Sequence, residues 1–270
     1  MKEAQRILPS YTIAGTEFTV DVFNEELRQT DQPGNVIGFD QMAYSKNGYR
    51  FDYNTELKNI PISFVGGYET VHVPNMTELD PVGMAAKYNM DITEIAGKTD
   101  IDIMVDQKQL ALREGGQLPV IEIAGHPFYV DLAMDALRPK DDFTTPGIRF
   151  SEIDDYFFEG SRHYRIPHNP KTHTLEELDF ENIKAIPKGI ILVEIPLPHE
   201  LDPVAYARIH GLDRDQILRE HPIQMNTKAI EIPWADTPLK QIIARNLKRE
   251  LEKNQAAENN KPQRKRGRRL

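Results

Sequence analysis

"LPSYTIAGTEFTVDVFNEELR" at residues 8–28 and "LPVIEIAGHPFYVDLAMDALR" at residues 118–138 align without a gap at a constant offset of 110. Each places β-branched or aromatic runs on either side of an Ala-Gly pair, the pattern of two strands joined by a tight turn. Gly15 and Gly125 suit the positive φ such turns demand.

The correspondence continues along the chain. Ile37 and Phe39 match Ile148 and Phe150, Tyr49-Arg50 and Asn54 match Tyr164-Arg165 and Asn169, and Val71, Val73 and Pro74 match Val193, Ile195 and Pro196. "ELDPV" occurs at residues 78–82 and again at 200–204, by which point the offset has grown to 122 and the second stretch is expected to carry longer loops. A period above about 100 residues fits two tandem copies of one domain, since solenoid repeats are far shorter. The expected architecture is α+β, with unit one at residues 8–107 and unit two at 118–232. "KQLALREGGQ" joins them, a C-terminal amphipathic helix follows at 237–257, and a disordered basic tail at 258–270.

Further short strands are expected at 36–39, 49–53, 62–65 and 68–73, between Pro-Gly, Asn-Gly and Gly-Gly pairs. In "ELDPV", Asp80 and Asp202 are suited to cap a helix whose first position is Pro81 or Pro203, where a missing N–H costs nothing. Those helices should end near Asn89 and Gly211, residues that tolerate a left-handed backbone. "DITE" (91–94) and "DRDQ" (213–216) read as starts of a second helix by their acidic cap and trailing Glu or Gln. A closing strand is expected at 101–105 and at 223–225. Each unit then reads as a small sheet with an αα-hairpin. In the terminal helix, capped by Thr237, residues Leu239, Ile242, Ile243, Leu247 and Leu251 form one apolar stripe.

With 39% apolar and 28% charged residues among 270, the chain has the profile of a globular protein with a real core. The longest apolar run, "GIILVEIP" at 189–196, is far below the ~20 residues a membrane helix needs. "MKEAQRILPS" has no secretory pattern, so a cytoplasmic location is expected. The absence of cysteine removes disulfides, thiolate nucleophiles and Cys-ligated metals. Lys261, Arg264, Lys265, Arg266, Arg268 and Arg269 crowd the last ten residues without an acid; taking those six charges from the formal −9 leaves −15 on the first 260. The tail is the candidate polyanion-binding segment, because clustered Lys and Arg neutralise phosphates.

Ala207, Gly211 and Ile217 have the spacing of a DNA-binding helix-turn-helix, but the equivalent second helix of unit one carries two acids and one base, and phosphate attraction needs the reverse. "HYRIPHNPKTH" spaces His163, His168 and His173 five apart, with Asp154 and Asp155 upstream; imidazole and carboxylate together suit zinc or iron. Spacing i+5 suits neither one helix face nor one strand face, and Pro167 and Pro170 point to a loop of solvated histidines. Asp21 with Arg28 and Asp131 with Arg138 recur in both units and read as structural ion pairs. Trp234 reads as packing at the joint before the terminal helix. No Gly-rich phosphate loop, Gly-x-Ser-x-Gly elbow or His-Glu-x-x-His occurs.

The sequence therefore predicts a non-enzymatic binding or scaffold protein, with two similar domains, an unidentified protein partner, nucleic acid contacted through the tail, no membrane, no cofactor and no metal. Its rivals are a metal-dependent hydrolase or nuclease using His163, His168, His173 and nearby Asp, and a DNA reader using the hairpins.

Overall fold

The computed structural model describes residues 6–62, 67–142 and 144–259, and has both helices and sheets, an α+β architecture. By contact density the chain divides into two compact units. The first is formed by the described residues of Met1–Gln117 and Pro198–Met225, the second by those of Leu118–Leu197 and Asn226–Leu270. This division differs from the one suggested by sequence likeness: the helices of the later stretch pack within the first unit. Among the described residues, no helix is long and apolar enough to cross a membrane.

In the first unit, β1 (Ser10–Ile13), β2 (Thr16–Asp21), β3 (Glu26–Gln29) and β4 (Val36–Gly38) make an antiparallel sheet in chain order. The β1–β2 turn places both Ala14 (φ 47°) and Gly15 (φ 81°) in the left-handed region, the geometry whose twist matches the strands it joins. A second sheet pairs β5 (Ala43–Ser45), β6 (Gly48–Tyr53) and β7 (Glu69–Val73). The strand expected at 62–65 is not formed at Ile62, and residues 63–66 lie outside the described residues. Helices α1 (Met76–Leu79) and α2 (Pro81–Lys87) follow, and Asp80 caps α2 by accepting from the Gly83 N–H at 2.9 Å.

Three expectations for this region are corrected. "DITE" forms only a single 3₁₀ turn, Ile92–Glu94. The closing strand expected at 101–105 is helix α3 (Asp100–Met104), because Thr99 and Asp102 cap one another across its first turn. The joining segment is helix α4 (Gln107–Glu114), started by Asp106, which accepts from the N–H groups of Lys108 and Gln109.

In the second unit, β8 (Val120–Ile123), β9 (His126–Asp131), β10 (Ala136–Pro139) and β11 (Ile148–Arg149) run antiparallel in chain order. The pairing repeats that of β1–β4. Ser10 faces Thr19 as Val120 faces Tyr129, Val20 faces Leu27 as Val130 faces Leu137, and Leu27 faces Ile37 as Leu137 faces Ile148. After the single-turn helix α5 (Phe150–Ile153), a second sheet contains β12 (Phe157–Phe158), β13 (His163–Asn169), β14 (Thr174–Leu175) and β15 (Ile191–Ile195). Here Tyr164 faces Ile195 and His168 faces Ile191, as Tyr49 faces Val73 and Tyr53 faces Glu69 in the first unit. The presumed histidine loop is thus largely strand. β12 and β14 are short and pair with residues 163–164 and 168–169 of β13, and the Pro167 carbonyl accepts from the Glu176 N–H at 2.9 Å, so the proline sits at the margin of a short flanking pairing where one missing donor is tolerated.

Helices α6 (Pro198–Leu201), α7 (Pro203–His210) and α8 (Arg214–Glu220) belong to the first unit. Asp202 caps α7 and Asp213 caps α8, and α7 ends at Gly211 with φ 66°. Leu218, Ile223 and Met225 join the core formed by Phe18, Leu27, Tyr44, Tyr49 and Leu110. The strand expected at 223–225 instead forms one step later as β16 (Asn226–Lys228), which pairs in parallel with β8 in the second unit. β17 (Ile230–Ile232) adds to β15, and α9 (Leu239–Asn259) ends the described chain. Leu239 is buried, and Asn246 donates to the carbonyls of Phe180 and Ile183, both at 3.0 Å, which docks the first half of α9; Leu247 and Leu251 are exposed. Trp234 donates its indole N–H to the Ile190 carbonyl at 3.0 Å.

The repeated cap aspartates do more than cap. Each takes a guanidinium from the segment preceding a sheet: Arg6 reaches Asp80 at 2.5 Å, and Arg113 reaches Asp202 at 2.9 Å, where both side chains are almost fully buried. The Asp–Arg pair of the second unit forms between strands, with Arg138 donating to Asp131 from Nη2 at 2.7 Å and Nε at 3.1 Å. In the first unit Arg28 turns mainly to Glu26 and stands 3.8 Å from Asp21. A double-mutant cycle on Asp131 and Arg138, followed by urea unfolding, is expected to give a coupling of about 0.2–1 kcal/mol, the range for a pair with a solvent-facing arginine. Zero coupling would remove the structural role.

Candidate functional site

The first unit contains a cleft of about 220 Å³. Met76 of α1, Met84 of α2 and Met104 of α3 line it together with Phe39 and Tyr49, and Glu25, Asp40, Lys87, Arg219 and Glu220 supply its charges. Its walls are held rigidly. Asp100, wholly buried, accepts from the Tyr49 hydroxyl at 2.6 Å and from the N–H groups of Met76 and Thr77 at 2.9 Å. The Tyr44 hydroxyl donates to Asn75 Oδ1 at 3.0 Å and accepts from the Ile101 N–H at 3.3 Å. One network therefore ties β5 and β6 to α1 and α3.

Two phenols line the cleft. Burial, then the negative charge of Asp100, pushes the Tyr49 phenol far up, and burial with nearby Glu25 pushes Tyr88 up to about 12. Both phenols stay protonated at neutral pH. Lys87 is engaged by the Val22 carbonyl at 2.8 Å and by Glu25 at 2.5 Å. The Arg219 guanidinium lies 5.6 Å from the Tyr49 ring centroid and donates from Nη1 to the Phe39 carbonyl at 2.7 Å, while its buried Nε has no partner among the described residues. The guanidinium therefore stands at an aromatic and thioether lining.

The residues singled out from sequence fall elsewhere. His163 lies 3.2 Å from Glu194, which also takes Arg165 at 2.6 Å. Against the opposing effect of burial, these partners hold the Glu194 carboxyl below its ordinary range. Asp154 accepts from the Tyr164 hydroxyl at 3.0 Å. His168 is fully buried beside Phe128, and among the described residues neither of its ring nitrogens has a partner within strict hydrogen-bonding geometry, the Thr174 backbone being a weak neighbour. His173 stacks on His126, ring centroids 3.8 Å apart. Burial first, then neighbouring His173, pushes His168 down to about 4. The five-residue spacing on β13 separates His163 from His168, and among the described residues His163, His168, His173, Asp154 and Asp155 are not gathered into one donor set.

On α8, Leu218 is buried and Gln216 accepts from the Tyr44 N–H at 2.6 Å, so this helix spends one face on its own unit. Lys261, Arg264, Lys265, Arg266, Arg268 and Arg269 lie outside the described residues.

The cleft lining escaped sequence reading because it is collected from positions between Val22 and Glu220, whose only local signal is methionine on short helices. No protein-family model, curated protein or solved structure matches the chain.

Proposed function

We propose that this chain is a non-enzymatic binding protein built from two copies of one α+β domain, whose first unit receives an anchoring side chain of a protein partner and whose basic tail contacts nucleic acid. The cleft carries this reading. At about 220 Å³ it falls below the ~300–1,000 Å³ typical of small-molecule sites, and suits one inserted aromatic or aliphatic side chain. A thioether lining adapts to the shape of what enters it. The Arg219 guanidinium at the cleft gives a positive charge that favours a carbonyl or carboxylate beside the anchor.

The shared strand register supports the duplication, since a one-residue slip in either copy would turn every core side chain outward. The tail reading rests on its six cations set against a body of −15. Six phosphate contacts to a single strand correspond to a slope of log K against log salt of roughly −4.

One experiment tests both parts. Full-length protein, a Met104→Trp variant that fills the cleft, and a chain lacking residues 261–270 are used to capture partners from native extract, and each is titrated with single-stranded DNA. A protein captured by the full-length and truncated chains but lost with Met104→Trp supports the cleft. DNA affinity abolished by truncation alone supports the tail. Identical captured sets for all three chains overturn the first part, and unchanged DNA affinity after truncation overturns the second.

A further inference from the structure

Within the first unit, His199 and Glu200 of α6 and His221, at the C-terminal cap of α8, each offer a donor atom, and these atoms all lie within 4.8 Å of one another. All three side chains are half-buried. The two imidazole rings stand 4.3 Å apart between centroids at 53°, and Tyr206 flanks His199 at 5.4 Å.

A second observation comes from the matched stretch. "HELDPV" at 199–204 stands where the earlier copy has "TELDPV" at 77–82, and at the same offset His221 stands where the earlier copy has Thr99. There the hydroxyls do local backbone work: Thr77 donates to the Lys98 carbonyl at 2.7 Å, and Thr99 caps α3. Two threonines far apart in sequence are thus both replaced by histidine, at positions the fold brings together around a retained glutamate. The cap chemistry of "ELDPV" explains the Glu-Leu-Asp-Pro-Val that both copies share, and leaves the paired histidines unexplained.

We propose that His199, Glu200 and His221 bind a divalent transition-metal ion of the zinc class. Imidazole nitrogens at about 2.0–2.1 Å and a carboxylate oxygen at about 2.0–2.2 Å from one ion stand about 3–3.5 Å from each other, a contraction within reach of rotamer adjustments from the present spacing. Two imidazoles on one tetrahedral ion have ring centroids about 5 Å apart, so the rings, now at 4.3 Å, would swing apart by somewhat under about 1 Å as their nitrogens converge on the ion. Two histidines and one glutamate leave at least one coordination position open, so a bound ion can also take water or an outside ligand. The site shares no residue with the methionine-lined cleft, and its failure would leave the binding reading standing.

The test uses the full chain, stripped with chelator, dialysed and titrated with Zn²⁺ by calorimetry, with metal content measured after gel filtration. One Zn²⁺ per chain is expected. His199→Thr, His221→Thr and Glu200→Gln should each weaken binding at least tenfold, and the double histidine variant should retain none. Threonine is the chosen replacement because the matched backbone already carries it at both positions. His126→Phe with His173→Phe should leave the stoichiometry at one. In the unaltered chain, Co²⁺ should give visible absorption bands that Zn²⁺ abolishes, a readout that needs no variant to fold. Absence of stoichiometric metal, retention of it by the double histidine variant, or its loss only on changing His126 and His173 would each overturn the proposal.

Discussion

Asp202→Ala is expected to destabilise the first unit by about 3–5 kcal/mol, the cost of stripping one partner from a buried ion pair. Asp202 is wholly buried, Arg113 nearly so, and Nε of Arg113 donates to both carboxylate oxygens at 3.0 and 2.9 Å. The same carboxylate accepts from the Ala205 N–H at 3.0 Å, so the substitution also removes the cap of α7, worth about another 1 kcal/mol. Asp202→Asn keeps an amide able to cap while stranding the guanidinium, and should fall between wild type and alanine. Combining it with Arg113→Met should recover part of the loss, because neither charge is then left unpaired. Urea unfolding followed by near-ultraviolet dichroism reads the effect through the buried Tyr44, Tyr49 and Tyr53 of this unit. A loss under about 1 kcal/mol for Asp202→Ala would mean that the pair is not structural.

The second unit is expected to lose stability on mild acidification, before its carboxylates titrate. His168 is held down to about 4, against an ordinary value of 6.5, by burial first and His173 next. His173 is lowered in the same direction by burial and His126, with Asp142 opposing. The unfolded chain therefore binds more protons between those limits. The contribution is fully present above pH 6.5 and drains away as pH falls toward 4, reaching on the order of 2–3 kcal/mol for His168. Carboxylates held low by their partners, such as Glu194 and Asp179, lose stability only below their own ordinary range, so the interval from pH 6.5 to 4.5 isolates the histidines. The lone Trp234 sits in this unit and reports its unfolding by fluorescence. His168→Leu, which replaces a buried imidazole with an apolar side chain, should flatten the profile and raise stability at pH 5. An unchanged pH dependence in that variant would remove His168 as its source.

The parts of this fold legible in sequence are those fixed by local chemistry. The Ala-Gly turns, the cap aspartates 80, 202 and 213, and the left-handed ends at Asn89 and Gly211 need only a few neighbouring residues to specify them. Reading failed where two local rules competed. "IDIMV" alternates like a strand, yet the reciprocal cap of Thr99 and Asp102 starts a helix there. "KQLALREGGQ" ends in glycines like a linker, yet Asp106 caps it and Leu110 buries it. Two prolines made the histidine segment read as a loop, although Pro167 is tolerated at the margin of a short flanking pairing, where its carbonyl still accepts from Glu176. The cleft and the His199–Glu200–His221 cluster depend on segments brought together by tertiary packing, which no window along the chain contains. The paired Thr-to-His difference between the matched stretches is the trace of the cluster that the sequence carries.

Parallel pairing of β16 with β8 has a consequence for biosynthesis. Neither compact body can be finished from an unbroken length of nascent polypeptide, because the first awaits residues 198–225 and the second awaits β16. A ribosome moving from the amino end would hold both as incomplete intermediates until the late helices emerge, after which both can close within a few seconds of translation. Any message truncated before residue 198 would yield two unfinished halves and no finished domain.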